Sequence, residues 1–248
     1  MPNYLKKYET NTLKEKILIA IFLLKYGVIV NVRTGQINYN SYVPKCRCSK
    51  LRLLRHGKTI AVEQHEFMSN SSNNSILSDA GKNEIEQASV DIKNDIPDVI
   101  LIAPLMRTLD TYNILKKHLS DEDLPVKYCK YMVGINNGTW ENKKFEMLDD
   151  QELYVFLQRE CCHNIFAKSK GGDSWGDVLV RCGKLLKKIN KEYSCKNVLL
   201  VSQGSIYQGL KILLHQRQNP WEDYSPHAMF STMSSKKIIG YGKTLDIC

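Results

Sequence analysis

A three-layer α/β/α domain with a mostly parallel central sheet is the fold class this sequence predicts, and two textural features carry the reading. Short apolar runs recur at Leu51 to Leu54, broken there by Arg52, and without a break at Val99 to Ala103 and Val198 to Val201. Strands without polar alternation are strands buried on both faces, as in a parallel sheet covered on each side. Between these runs lie longer stretches whose apolar residues return every three or four positions, the period of helices packed on one face.

The elements follow in order. Asn11 or Thr12 caps a helix running to about Tyr26 and stopped by Gly27, with Leu13, Ile17, Ala20, Ile21 and Leu24 on one face; its other face is less polar than usual. Val28 to Val32 and Gln36 to Val43 flank the turn Arg33-Thr34-Gly35 as a hairpin, with Pro44 as a break. Residues 1–45 therefore read as a basic helix-plus-hairpin N-terminal extension and 46–248 as the main domain. Leu51 to Leu54 is its first strand. Ser78 or Asp79 caps a helix with Ile85, Ala88, Ile92 and Ile96 on one face, closed by Pro97, and Asp98 to Ala103 is a buried strand. Pro104 opens another helix, Val126 to Met132 reads as a strand, and Lys143 to Arg159 and Ser174 to Tyr193 read as helices. Asn197 to Ser202 is the second strong strand, followed by a helix from Ser205. The tail after Pro226 contains apolar runs suited to one or two further strands.

At 248 residues, 43% hydrophobic and 25% charged, the chain can bury one sizeable core. Its eight cysteines are scattered and no secretory leader precedes them, so reduced thiols in a cytoplasm are expected, with no disulfide framework. Cys46-x-Cys48 and Cys161-Cys162 lack the two-residue spacing with which paired thiolates grip zinc; neither a metal nor a cofactor is expected. The longest apolar run, Ile17 to Leu24, is too short to span a bilayer and is followed by Lys25. It is expected to dock on its own domain or on a second subunit in a homodimer, with no membrane partner. The net charge of +9 is concentrated at the front, where residues 1–58 hold 12 Lys and Arg against 2 Glu. Arg52, Arg55 and Lys58 flank the expected site, so a small anionic substrate accounts for much of that excess and nucleic acid is the weaker reading.

Ligands of open α/β sheets sit beyond the carboxyl ends of the strands. Three polar signals occur at such ends: Arg55-His56-Gly57, Pro104-Leu105-Met106-Arg107-Thr108 and Gln203-Gly204-Ser205. Guanidinium forks suit the equatorial oxygens of a transferring phosphoryl group, and an imidazole nitrogen can attack it in line. Arg55 and Arg107 are thus the expected clamps and His56 the expected nucleophile. Gly57 is read as allowing close approach of the oxyanion, and Thr59 as a further hydrogen-bond donor.

Together these segments resemble the histidine phosphatase superfamily, phosphoglycerate-mutase-like in fold. The resemblance lies in Leu54-Arg55-His56-Gly57-Lys58-Thr59, Leu77-Ser78-x-x-Gly81, Ala103-Pro104-Leu105-x-Arg107-Thr108, Gly138-Thr139-Trp140-Glu141, Gly172-Asp173-Ser174 with Arg181, and Val198 to Gly204, all in the family's order. It implies a phosphohistidine intermediate at His56, cradled by Arg55, Arg107 and the residue at 203, with Gly57, Thr59 and Gly204 bordering a small phosphorylated metabolite. This chain departs from the pattern at Gln203, where the family reads histidine, at Gly134, where it commonly places a glutamate acid, and at Val62, where asparagine is frequent. Three explanations are weighed: a substrate with a good leaving group, such as an acyl phosphate or phosphoanhydride; a pseudoenzyme that binds an anion; or an introduced inactivating substitution at Gln203. His65, His163, Asp149 and Asp150 are the candidates for a displaced proton donor.

Overall fold

The computed structural model describes residues 10–68, 70, 76–119, 124–161, 163–217 and 240–248. The chain opens with helix α1 (Leu13–Leu24), capped by Thr12 rather than Asn11: Thr12 Oγ1 accepts from Glu15 N, and the Glu15 carboxylate accepts from Thr12 N in return. Gly27, at φ +72°, turns the chain out of the helix into an antiparallel pair, β1 (Val28–Val30) and β2 (Ile37–Tyr39), shorter than the sequence predicts.

The face by which α1 docks is the opposite of the expected one. Leu13, Ile17, Ile21 and Leu24 are exposed, whereas Ile19 and Leu23 are buried. Both faces are apolar, and shape decides between them. On α6 (Trp175–Glu192), Gly176 and Gly183 leave a strip without side chains; a Cβ at Gly183 would lie 2.6 Å from Phe22 Cε1, and one at Gly176 3.2 Å from Ile19. Tyr26 fastens the contact by donating to Gly183 O at 2.6 Å.

The main sheet contains β3 (Lys50–Arg55), β4 (Val99–Ile102), β5 (Val126–Tyr128), β6 (Asn197–Ser202) and β7 (Thr244–Asp246), in the spatial order β5-β4-β6-β3-β7. All neighbours are parallel except β7, which runs antiparallel to β3 at the edge. Alternate side chains enter two cores. Leu51, Leu53, Leu101, Val198 and Leu200 pack under α1, α6 and α7 (Gly204–Leu213), whereas Leu54, Ile100, Ile102, Leu199 and Val201 pack under α3 (Asp79–Lys93) and α4 (Met106–Lys116). The expected α/β/α layering is therefore present. Of two further short helices, α2 (Ile60–Glu63) follows β3 and α5 (Asp150–Glu160) precedes α6.

Several expected boundaries move. The strand expected over Val126 to Met132 stops at Tyr128 and gives way to a single 3-10 turn at Lys130–Met132. The helix expected from Lys143 begins at Asp150, because Asp149 forms a capping box with Glu152. In the tail β7 is present; positions 226–239 lie outside the described residues. Arg52, expected beside the site, instead points back to the amino end of the sheet and pairs with Asp95 at 3.1 Å. The expectation of no disulfide is also corrected. Antiparallel pairing sets the end of β7 beside the start of β3, where Leu51 N donates to Cys248 O at 2.7 Å, and Cys46 and Cys248 are bonded.

Candidate active site

Strand β6 lies between β3 and β4, so the carboxyl ends of these three parallel strands deliver His56, Gln203 and Pro104 side by side. Arg107 reaches the same place from the first turn of α4. The three polar segments therefore converge, and they do so out of solvent: His56 is 0% exposed, Arg107 2%, Gln203 3% and Arg55 9%.

His56 is oriented by its own loop. Its Nδ1 lies 2.7 Å from Gly57 O, and since a carbonyl only accepts, Nδ1 carries the proton and Nε2 presents its lone pair. Among the described residues Nε2 has no hydrogen-bond partner, and neither does Gln203 Nε2. Burial, followed by the charges of Arg107 and Arg55, holds the imidazole well below the ordinary histidine pKa, partly opposed by Gly57 O and Gln203. The ring is thus neutral and nucleophilic at neutral pH. Because the folded pKa is depressed, the folded state binds fewer protons than the unfolded chain below about pH 6.5. Stability should consequently be fully present above that value and fall as pH drops through it, by at most about 1.4 kcal/mol per pH unit from this one group. Urea unfolding of the wild type and of His56→Ala between about pH 7.5 and 5.5 checks this; parallel curves would remove His56 from the account.

Arg107 donates from Nε to Gln203 Oε1 and from Nη2 to Asn70 Oδ1, each at 2.9 Å. A cation in the first turn opposes the helix dipole; these two contacts are with neutral amides, and opposite charge comes from the Glu141 carboxylate. Burial draws its pKa down to about 10, with Tyr241 and Glu141 opposing, so it stays charged at neutral pH. Arg55 Cζ lies over the Tyr241 ring, 3.7 Å from its centroid, and the same ring is 5.6 Å from that of His56. Asn70, Glu141 and Tyr241 are thus pocket residues that sequence reasoning missed as individuals. Glu141 stood in a quoted block, while Asn70 and Tyr241 belong to loop and tail segments with no periodicity.

Packing and capping also involve the other expected site residues. Gly57 is required by packing: a Cβ there would stand 2.3 Å from Gly81 O, and one at Gly81 2.0 Å from Lys58 O, so these two glycines let the loop after β3 lie on the first turn of α3. Thr59 is the N-cap of α2, accepting from Val62 N at 3.4 Å, which accounts for its burial without an anion. Helix α2 is a single turn, so its dipole adds little. Gly204 does border the pocket; a Cβ there would be 3.6 Å from Arg55 Cζ. Of the displaced donors, Asp149 is occupied as the cap of α5, Asp150 is exposed at its start, His65 is exposed after α2, and His163 follows α5 at φ 57°.

Gly134 and Gln203 prove to be one packing solution. The loop carrying Gly134 is held by Arg181, which donates to Gly134 O at 3.0 Å and pairs with Asp173 at 2.9 Å. A Cβ at Gly134 would stand 2.9 Å from Gln203 Cγ, so any side chain there displaces the glutamine from Arg107. Gly134→Ala is therefore expected to destabilise by about 1–3 kcal/mol, as overpacking does, and to become nearly neutral in a Gln203→Ala background. Equal costs in both backgrounds, measured by urea unfolding, would refute the steric coupling.

The fold and this pocket define a class. The family model of the histidine phosphatase superfamily (branch 1) matches residues 51–233, and the chain belongs to that superfamily. No curated protein matches it at the level of sequence. Similar solved structures include a mycobacterial glucosyl-3-phosphoglycerate phosphatase complexed with VO3, at 19% identity and TM-score 0.61, with 79% of this chain and 88% of that one covered. The α-ribazole phosphatase from Shigella flexneri is similar at 20% identity and TM-score 0.59, over 79% and 88% of the two chains. At such identities the likeness is one of fold. Among the described residues no helix is long and apolar enough to cross a membrane.

Proposed function

We propose that this chain is a phosphoryl-group hydrolase that passes its substrate's phosphoryl group through His56. The observation that carries the reading is the His56 ring: fully buried, held by Nδ1–H on Gly57 O, with the Nε2 lone pair beside two guanidinium groups. In the first step Nε2 attacks phosphorus, the P–N bond forms, and the P–O bond breaks with its electron pair leaving on the departing oxygen. Arg55, Arg107 and the Gln203 amide hold the equatorial oxygens. Water then attacks the phosphohistidine, the P–N bond breaks, and phosphate and neutral imidazole return. With glycine at 134, no acid stands there to protonate the departing oxygen, so the substrate class this pocket suits is a small anionic phosphate whose leaving group is stable as an anion: an acyl phosphate, a phosphoanhydride or an aryl phosphate.

Steady-state turnover of aryl phosphates of graded leaving-group acidity tests this. A steep rise with acidity, reaching about 100- to 10,000-fold over alkyl phosphates, and competitive inhibition by vanadate are expected. Flat rates would require an acid elsewhere in the pocket, for which Glu141, close enough to act on Arg107, is the first candidate. A non-catalytic anion binder is the second reading, favoured by the neutral Gln203 beside the ring; retained vanadate or phosphate binding with no turnover of any aryl phosphate would select it.

A further inference from the structure

Helix α1 turns toward solvent a face that the fold leaves unexplained. At 100° per residue Leu13, Ile17, Ile21 and Leu24 fall within an arc of about 80°, and they are 67%, 43%, 57% and 54% exposed. Leu18, 56% exposed, extends the patch, and Lys14 and Lys25, also exposed, lie between it and the arc. The one acid of the helix, Glu15, lies on another face and is engaged with Thr12. The superfamily match begins at residue 51, so this helix is an addition to the shared domain. A soluble monomer rarely keeps contiguous aliphatic side chains in water without a partner for them.

We propose that this face of α1 is a docking surface for an anionic lipid bilayer, with the helix lying in the headgroup plane. Leu13, Ile17, Ile21 and Leu24 enter the acyl boundary while Lys14 and Lys25 meet phosphate. Twelve residues make a helix of about 18 Å, which lies on a bilayer rather than spanning it. Charge favours lipid over a second copy of the chain. A two-fold interface sets the same patch against itself, and this patch holds two lysines and no acid to meet them. The segment of chain that carries it is also basic: Arg33, Lys45 and Arg47 are exposed, and Glu15 is the only acid in residues 10–49. The proposed contact is with the bilayer surface and is not a span. The inference stands independently of the chemistry at His56.

Sedimentation of the full chain with vesicles tests it. Binding to vesicles with about one-third phosphatidylglycerol should exceed binding to pure phosphatidylcholine by roughly 25-fold, two lysines contributing about fivefold each, and should weaken as salt rises. Ile17→Glu/Ile21→Glu should abolish binding while leaving the circular dichroism spectrum and aryl phosphate turnover unchanged, since both positions face solvent. Lys14→Glu/Lys25→Glu should remove the lipid-charge preference. Failure to bind anionic vesicles, or undiminished binding by either double variant, overturns the proposal. So does light scattering that shows a dimer split by Ile17→Glu/Ile21→Glu, which would assign the face to a second copy.

Discussion

Alanine at position 56 is expected to cut turnover of an aryl phosphate by about 10,000-fold or more, the scale on which removal of a covalent nucleophile acts. The same substitution should erase the acid-labile, base-stable phosphoryl adduct that phosphorus NMR is expected to show on the wild-type protein. The size of the effect follows from how completely the ring is committed. Its Nδ1 proton is held by Gly57 O, burial and two arginines keep Nε2 unprotonated, and Gly57 packs so closely on Gly81 that a Cβ there would stand 2.3 Å from Gly81 O. Three other histidines are placed differently: His215 meets Tyr26 O, His118 pairs with Glu86, and His65 is exposed. The folded protein should survive, because the change relieves a buried imidazole whose Nε2 lacks a partner. Vanadate should still bind His56→Ala, since the arginines remain. An adduct mapped to another histidine, or turnover that persists in the variant, would remove His56 from the mechanism.

What the sequence disclosed and what it hid divide along physical lines. The strands were legible because burial on both faces leaves continuous apolar runs: Val198 to Val201 supplies two cores at once, as Leu199 and Val201 face α3 and α4 while Val198 and Leu200 face α6 and α7. The convergence of His56, Arg107 and Gln203 was legible because parallel strands must end at one edge of the sheet. The docking face of α1 was not, since hydrophobic period cannot choose between two apolar faces; Gly176 and Gly183, more than 150 positions away, made the choice. The disulfide was hidden for a similar reason. Cys46 and Cys248 are 202 positions apart and meet only because β7 runs antiparallel to β3. Tyr241 reaches Arg55 and His56 from the same late segment, and no local pattern announces a residue whose place is set by the edge of a sheet.

Arg107→Lys is expected to lower kcat/KM by about 100- to 1,000-fold, although it keeps the charge. The guanidinium does two things that an ammonium on a flexible stem cannot do together. Nε holds Gln203 Oε1 and Nη2 holds Asn70 Oδ1, which fixes the plane of the fork and, through Gln203, the amide beside the His56 ring. Lysine offers one point of charge and leaves at least one of these buried amide oxygens without its donor, at a cost of about 1–3 kcal/mol in stability. The activity loss and the stability loss separate experimentally. If Arg107 grips the equatorial oxygens, vanadate affinity and kcat/KM should fall together in Arg107→Lys at temperatures where the variant is fully folded. Gln203→Ala, which removes the glutamine but leaves the guanidinium, should then fall less on both measures. If vanadate binds Arg107→Lys as tightly as it binds the wild type, or if Gln203→Ala reproduces the whole loss, Arg107 serves to position the glutamine and the anion is held elsewhere.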